Sequence, residues 1–323
     1  MIYPWQSAQW QQLQNQREQQ RIPHSILLSG RYGLGKADFA MALAFSLLCQ
    51  RREPYAEACG QCPACLLMQA GTHPDLLYLA PEDAAKAIKV DDIRGLCKAF
   101  TLTSQYAGYK VAIIDYADNM NINAANSLLK TLEEPSKQSI IILVTSTPHR
   151  LPVTVRSRCQ SVFFPTPATE QASAWLMERI SGDVAQLLSV SHGAPLQAER
   201  FAQGDTLAQR QGLMDALLAT TRSQSVIERA EKLSKWPNYS LLGWVYDCIS
   251  DLLKLIHCGV ESRLINQDYR KELIELSQKL SAARLYSLLD QVIKFRKEQS
   301  IPLNSQMLWE DLLISWEQQI TRV

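Results

Sequence analysis

The chain has 323 residues, 46% of them apolar, with 33 Lys+Arg against 32 Asp+Glu and a net charge of +1. This length is enough for two or three domains, each with its own core, while the even charge balance excludes a global field for gripping nucleic acid and leaves any such contact to a local patch or to partners. The N-terminal MIYPWQSAQWQQLQ lacks an apolar signal region and no run nears the roughly 18 apolar residues of a membrane span, so a cytoplasmic protein without membrane contact is expected.

The first half alternates strand and helix signals. Ser25 to Ser29 is a short apolar run ending at Gly30, and a helical pattern follows from Lys36 to Leu48. Leu76 to Leu79 reads as a second strand. Val90 opens a helix with Asp91 and Asp92 in its first turn, where the helix dipole favours acids. Lys110 to Asp115 is a third strand. The spacing of Ala125, Leu128, Leu129 and Leu132 predicts a helix from Asn123 to Glu134, stopped by Pro135. Ile140 to Thr145 and Ser161 to Phe164 are further strands. Continuous apolar strands alternating with helices predict a parallel sheet covered on both sides.

Pro165-Thr166-Pro167 marks a boundary, beyond which no strand signal follows. Ala168 to Arg200 reads as small helices broken at Gly182 and Gly193. The last third is helical, with Leu285, Leu288, Leu289, Val292 and Phe295 on one stripe, and Leu308, Leu312 and Trp316 on another behind a cap at Asn304. Both stripes read as core faces.

Gly30-Arg-Tyr-Gly33-Leu-Gly35-Lys36-Ala37 nearly matches the phosphate loop GxxxxGK followed by Ser or Thr, and it lies between a strand and a helix as such a loop must. Glycines let backbone amides turn toward phosphate oxygens, the helix N-terminus adds a favourable dipole, and Lys36 is placed for the outer phosphates. The final hydroxyl, which would hold Mg²⁺, is missing at Ala37. The third strand ends Asp115-Tyr116-Ala117-Asp118, so a phenol stands where a water-orienting glutamate is needed, and Asp118 is three residues displaced. Losing both a metal ligand and a base from one site points to a loop that does not hydrolyse ATP. Gly35 and Lys36 leave ATP binding open; a plain strand–helix turn is the alternative.

Four of the eight cysteines fall together as Cys49, then Cys59-x-x-Cys62-x-x-Cys65. Two-residue spacers let sulfurs converge on one tetrahedral ion, and four thiolates close the sphere, so the expected cofactor is a structural Zn²⁺ in a segment with Pro54, Gly60 and Pro63 and little core of its own. A redox CxxC and a nucleic-acid-binding ribbon are the alternatives. Four-ligand counting argues against the first; the presence of only Arg51 and Arg52 as bases argues against the second. His73 before Pro74 reads as a turn residue, and His24, His149, His192 and His257 show no metal or triad spacing.

The phosphate loop, the four-cysteine insert, Ser127-Leu-Leu-Lys-Thr-Leu-Glu-Glu-Pro135 and Arg156-Ser-Arg-Cys159 together resemble the AAA+ subunits of bacterial sliding-clamp loaders, relatives of replication factor C. Tyr3-Pro4-Trp5 and Gly71-Thr-His-Pro-Asp75 also look familial, and the likeness spans roughly residues 20 to 200. It implies an AAA+ α/β domain over 1–165, a helical lid over 166–206 and a helical collar over 207–323. The family's motor carries Gly-Ser-x-Arg in the lid, whereas this chain has Gly193-Ala-Pro-Leu196 without arginine. Three losses at one site therefore imply a subunit of the DNA polymerase III clamp loader that is not its motor.

The same resemblance implies that Arg158 is an arginine finger, reaching the ATP of an adjacent motor (gamma/tau) subunit, where a guanidinium stabilises charge spreading over phosphate oxygens. A surface or strand-capping arginine is the plainer reading. The implied partners are the motor and delta subunits, and, through the assembly, the sliding clamp and primed DNA. Glu133 and Glu134 before Pro135 read as a solvated or inter-subunit face. The rivals are an active ATPase using Lys36 and a zinc-dependent nucleic-acid-binding module.

Overall fold

The apolar runs of the first half pair into one sheet in the computed structural model, which describes residues 2–51, 57–82, 86–102, 104–106, 108–218, 225–297 and 304–321. The strands are β1 (Ser25–Gly30), β2 (Leu76–Leu79), β3 (Lys110–Ile114), β4 (Ser139–Thr145) and β5 (Gln160–Phe164), ordered β2-β3-β4-β1-β5. Every pairing is parallel, with Leu27 beside Leu143 and Ser161, Ala112 beside Ile141, and Leu77 beside Ala112. Residues of β1, β3 and β4 are buried from end to end, which is why their centres are continuous apolar runs instead of alternating, with polar residues confined to the strand ends. The chain divides into two compact units, Met1–Gln171 and Ala172–Val323.

In the first unit the helices are α1 (Ser7–Glu18), α2 (Lys36–Leu48), α3 (Pro63–Gln69), α4 (Val90–Phe100), α5 (Ile122–Glu133) and α6 (Val153–Arg156). One face of the sheet offers Leu27, Ala112, Ile114, Ile141 and Leu143 to Ile93, Leu96 and Phe100 of α4 and to Ala125, Leu128 and Leu132 of α5. The opposite face meets α2, which contacts β1, β3 and β4. There Phe39 stands edge-on to Phe164 at 4.9 Å and to Trp10 of α1 at 5.8 Å. α5 starts one residue before the expected Asn123 because Asn121 caps it, its side-chain oxygen accepting from the Ala124 amide at 2.8 Å. Leu129 is only half-buried; Ala124 takes a fully buried place in the stripe instead. α1 was not predicted: its glutamine-rich sequence carries no apolar stripe, yet Trp10 and Leu13 reach the core.

No strand follows Phe164 among the described residues. Helices α7 (Thr169–Met177), α8 (Val184–Val190) and α9 (Pro195–Gln203) are separated at Gly182 and Gly193 as expected. They are followed by α10 (Thr206–Leu218), α11 (Val226–Ser234), α12 (Asn238–Cys258), α13 (Arg270–Ser277), α14 (Ala282–Lys297) and α15 (Ser305–Thr321). One apolar cluster runs from Ala172 and Leu176 through Leu213, Trp244 and Leu285 to Trp316. It therefore draws on residues from both sides of position 206. Asn304 caps α15, its side-chain oxygen accepting from the Gln306 and Met307 amides. Leu308, Leu312 and Trp316 are buried with Trp309 and Leu313.

Candidate functional site

β1 ends at Gly30, and the chain turns through Gly33 and Gly35 at φ of +82° and +76° into α2. Gly35 is the left-handed cap of that helix, and its carbonyl accepts the Phe39 amide at 2.9 Å. Lys36, the first helical residue, is buried. Its Nζ donates to the Arg31 carbonyl at 2.7 Å and to Ser146 Oγ at 3.1 Å. Burial lowers its pKa to about 8, against the pull of Asp115 and Asp118. Ala37 follows with no hydroxyl to offer a metal.

The loop lies at the carboxyl ends of the parallel strands, where open α/β sheets hold their ligands. Asp115, just past β3, accepts from the Tyr116 amide at 2.8 Å and from the Tyr78 hydroxyl at 3.2 Å. Burial holds its carboxyl above the ordinary range, and burial together with Asp115 pushes Tyr78 up to about 12. Tyr116 sits in the left-handed region at φ +50°, its ring 6.5 Å from that of Tyr32. Asp118 accepts from Thr145 Oγ1 at 2.6 Å and also from Thr147 Oγ1. Its carboxylate thus ties the turn after β3 to the end of β4.

The turn Pro4–Gln6 rests on this loop. Trp5 Nε1 donates to the Leu34 carbonyl at 3.0 Å, and Gln6 Nε2 donates to the Leu34 and Gly35 carbonyls at 2.8 and 2.9 Å. The Tyr3 hydroxyl donates to Asp38 Oδ2 at 3.0 Å, and the ring packs so closely that a Cβ at Gly35 would stand 2.4 Å from it. Sequence reasoning marked Tyr3-Pro4-Trp5 only as familial; no periodicity links these residues to positions thirty places on.

The four predicted cysteines come together. Their sulfurs all lie within 4.8 Å of one another, with Cys49 to Cys62 and Cys59 to Cys65 each at 3.9 Å. Four thiolates at about 2.3 Å from one tetrahedral ion would have sulfurs about 3.8 Å apart, so the cage has the right size for zinc. Gly60 at φ +72° makes the turn between Cys59 and Cys62, and Pro63 opens α3, which carries Cys65. Burial pushes the Cys49 and Cys65 thiols up; the Gln61 and Cys62 amides pull Cys59 down; and Cys62, despite burial, is lowered to about 6 by amides including those of Cys65 and Gln50. Arg52 and Pro54 lie outside the described residues.

Arg158 follows α6 and precedes β5. Its backbone carbonyl accepts the Ser25 hydroxyl at 2.6 Å, and its side chain is 36% exposed. The guanidinium donates through Nη1 to the Thr154 carbonyl at 2.9 Å and pairs through Nη2 with Glu133 Oε1 at 2.6 Å. By contrast Arg156 is half-buried, with its Nε shielded and unpaired. Burial pushes the Cys159 thiol up to about 11. His24, which showed no ligand spacing, reaches the Leu132 carbonyl at 3.1 Å, and His73 Nδ1 accepts the Asp75 amide at 3.1 Å within its turn.

The second unit holds a polar network that sequence reasoning missed. Arg210 is buried, its Nη1 and Nη2 donating to the two oxygens of Asp268 at 2.6 and 2.8 Å and Nη2 also to Asn266 Oδ1 at 2.7 Å. Asp251, fully buried, accepts from the Ile265 and Asn266 amides and from Asn266 Nδ2. His192, in the left-handed region, meets Asp247 at 3.0 Å.

A sequence model of the family "DNA polymerase III, delta subunit" matches residues 5–168, and one of that family's C-terminal region matches residues 204–318. The DNA polymerase III subunit delta' of Pseudomonas aeruginosa is 36% identical over 98% of this chain and 97% of its own length. That of Escherichia coli K12 is 32% identical over 98% of this chain and 95% of its own. The DNA polymerase III subunit tau of Bacillus subtilis is 37% identical, but over 56% of this chain and 31% of its own length.

Proposed function

The chain belongs to the DNA polymerase III delta' family, a subunit of the clamp loader, and from that premise we propose that it completes a neighbour's ATP site while turning over none of its own. The contrast between its two relevant cations carries this reading. Lys36 is buried and hydrogen-bonded inside its own loop, beside an alanine in place of the metal-binding hydroxyl and a tyrosine in place of the base. Arg158 is presented at the surface on a firmly anchored backbone.

In the assembly, the Arg158 guanidinium would approach the terminal phosphate held by a motor (gamma/tau) subunit and stabilise the charge that develops on its oxygens. Such a finger contributes about 10³ to 10⁵ in rate. Beside its own loop, past the end of β3, Asp118 is engaged by two threonines and Asp115 by an amide and a phenol, so neither is free to orient water in place of the missing glutamate. Residues 166–206 would serve as lid and 207–323 as collar against motor and delta subunits, and the assembly would meet the sliding clamp and primed DNA in the cytoplasm. No helix among the described residues is long and apolar enough to cross a membrane. Cys49, Cys59, Cys62 and Cys65 would hold one structural zinc, whose role is to fix a segment poor in apolar residues.

The test reconstitutes the complex with Arg158→Ala. Assembly should survive while clamp- and DNA-stimulated hydrolysis falls at least about tenfold; normal hydrolysis would remove the role assigned to this arginine. The likeness to tau favours a second reading, an ATPase motor in its own right. Steady-state hydrolysis by the isolated chain, abolished by Lys36→Ala, would decide for it.

A further inference from the structure

The pairing of Arg158 with Glu133 is held by more than its own attraction. Two consecutive residues reach both partners' neighbourhoods: His24, just before β1, contacts the Leu132 carbonyl at 3.1 Å, and Ser25, the first residue of β1, donates to the Arg158 carbonyl at 2.6 Å. The end of α5 and the backbone of Arg158 are thereby tied to two consecutive residues at the entry to β1, the exposed His24 and the buried Ser25. Pro135 ends α5 just there, so Glu133 lies in the last turn, where the negative end of the helix dipole adds to its carboxylate. Glu134 adds a further exposed acid beside it. The Nη1 edge of the guanidinium is satisfied by the Thr154 carbonyl, and the Nη2 edge meets Glu133 Oε1 at 2.6 Å.

A carboxylate and a phosphate compete for the same planar fork of donors. Both side chains of the pair are partly exposed, at 36% and 47%. An ion pair of this kind is weak enough to be exchanged, yet it biases which anion the guanidinium meets first. We propose that Glu133 parks Arg158: it holds the guanidinium on this chain until a neighbour's ATP phosphate, brought into reach by closure of the assembly, displaces the carboxylate. Glu133 is then a positioning residue that suppresses premature completion of the neighbouring site. This inference rests on the reading of Arg158 as a finger acting in trans.

The experiment reconstitutes the full complex with Glu133→Gln, Arg158→Ala and the double variant, and measures kcat and KM for ATP with and without clamp and primed DNA. The glutamine is isosteric and leaves the fold intact, which matching thermal melts of the isolated chains would verify. With the charge removed, basal kcat should rise about two- to fivefold, the range set by an exposed ion pair. The stimulated kcat should stay unchanged, so stimulation shrinks by the same factor as the basal rate rises. Glu133→Asp should restore part of the restraint. The double variant should match Arg158→Ala, because Glu133 acts only through that residue. An unchanged basal rate in Glu133→Gln, a fall in both rates, or a rise that persists without Arg158 overturns the parking role. If Arg158→Ala itself leaves stimulated hydrolysis normal, the finger reading fails first, and the parking role fails with it.

Discussion

The carbonyl oxygen of Phe164 lies 2.5 Å from the point where a side chain on Gly30 would begin. The two residues are paired in register across β1 and β5, so neither backbone can retreat without breaking the sheet. Gly30 also holds φ at +146°, where L side chains are strained. Gly30→Ala should therefore destabilise the first unit by about 2–3 kcal/mol, the upper part of the range for single substitutions, read as a lower urea midpoint. Gly35→Ala meets the ring of Tyr3, which can swing away, and should cost less, about 1 kcal/mol from its positive φ alone once the ring is gone. Its cost should fall when Tyr3→Ala is made first. Equal costs in both backgrounds would show that Tyr3 does not press on the loop.

Lys36 gives a pH signature. Its ordinary pKa of 10.5 is lowered to about 8 by burial. Between these values the unfolded chain binds a proton that the folded chain does not, so stability rises with pH across that window. Below pH 8 the ammonium is charged in both states, and its burial costs of the order of 3 kcal/mol. Relative to Lys36→Met, the native protein should gain about 2–3 kcal/mol between pH 7 and pH 10, measured by chemical denaturation at each pH. Parallel curves for the two proteins would mean that the Arg31 carbonyl and Ser146 fully replace the water that Lys36 gives up.

The elements that sequence reasoning placed well are those with one dominant physical cause. β1, β3 and β4 are buried throughout, so their apolar runs announce them. Lys36 to Leu48 and the cap at Asn304 carry their own local signals. α1 stayed hidden because only Trp10, Leu13 and two glutamines are buried from a polar sequence. At the candidate site, the loop and the four cysteines were legible because chain spacing fixes them. Asp118 looked like a misplaced catalytic acid, and its engagement by Thr145 and Thr147 depends on how β3 and β4 lie side by side. Glu133 and Arg158, or Arg210 and Asp268, are too far apart in sequence for any periodicity to link them.

The cysteine cage predicts one zinc per chain after purification in metal-containing buffer, by elemental analysis. Cys62→Ser should lose most of it, whereas Cys97→Ser, outside the cage, should keep it. Binding requires four thiolates, so zinc should be released on acidification and by strong chelators. Removing it should loosen the segment around α3, giving earlier proteolytic cleavage between Cys49 and Cys65 without dissolving the sheet, whose core is made by other residues. Full zinc in Cys62→Ser would exclude this residue as a ligand.

Arg210 presents the sharpest stability test in the second unit. Its guanidinium is 3% exposed and donates to both oxygens of Asp268 as well as to Asn266. Asn266 in turn donates to Asp251, so one cation anchors a chain of buried polar groups. Arg210→Met leaves Asp268 partly exposed with the Gln186 amide and takes the donor from Asn266 Oδ1, and should cost about 3 kcal/mol, the low end for breaking a buried pair. Asp268→Asn keeps a hydrogen-bond acceptor and should cost less. Although burial opposes it, hydrogen bonding and charge from Arg210 hold the Asp268 carboxyl below its ordinary pKa. The pair's contribution is therefore present above the ordinary aspartate pKa of about 3.9, and it is lost as pH falls through the lower folded value. Acid unfolding of the native chain should steepen below about pH 4, and that added slope should vanish in Asp268→Asn. If the two proteins share one acid profile, the ion pair does not set the acid limit of this unit.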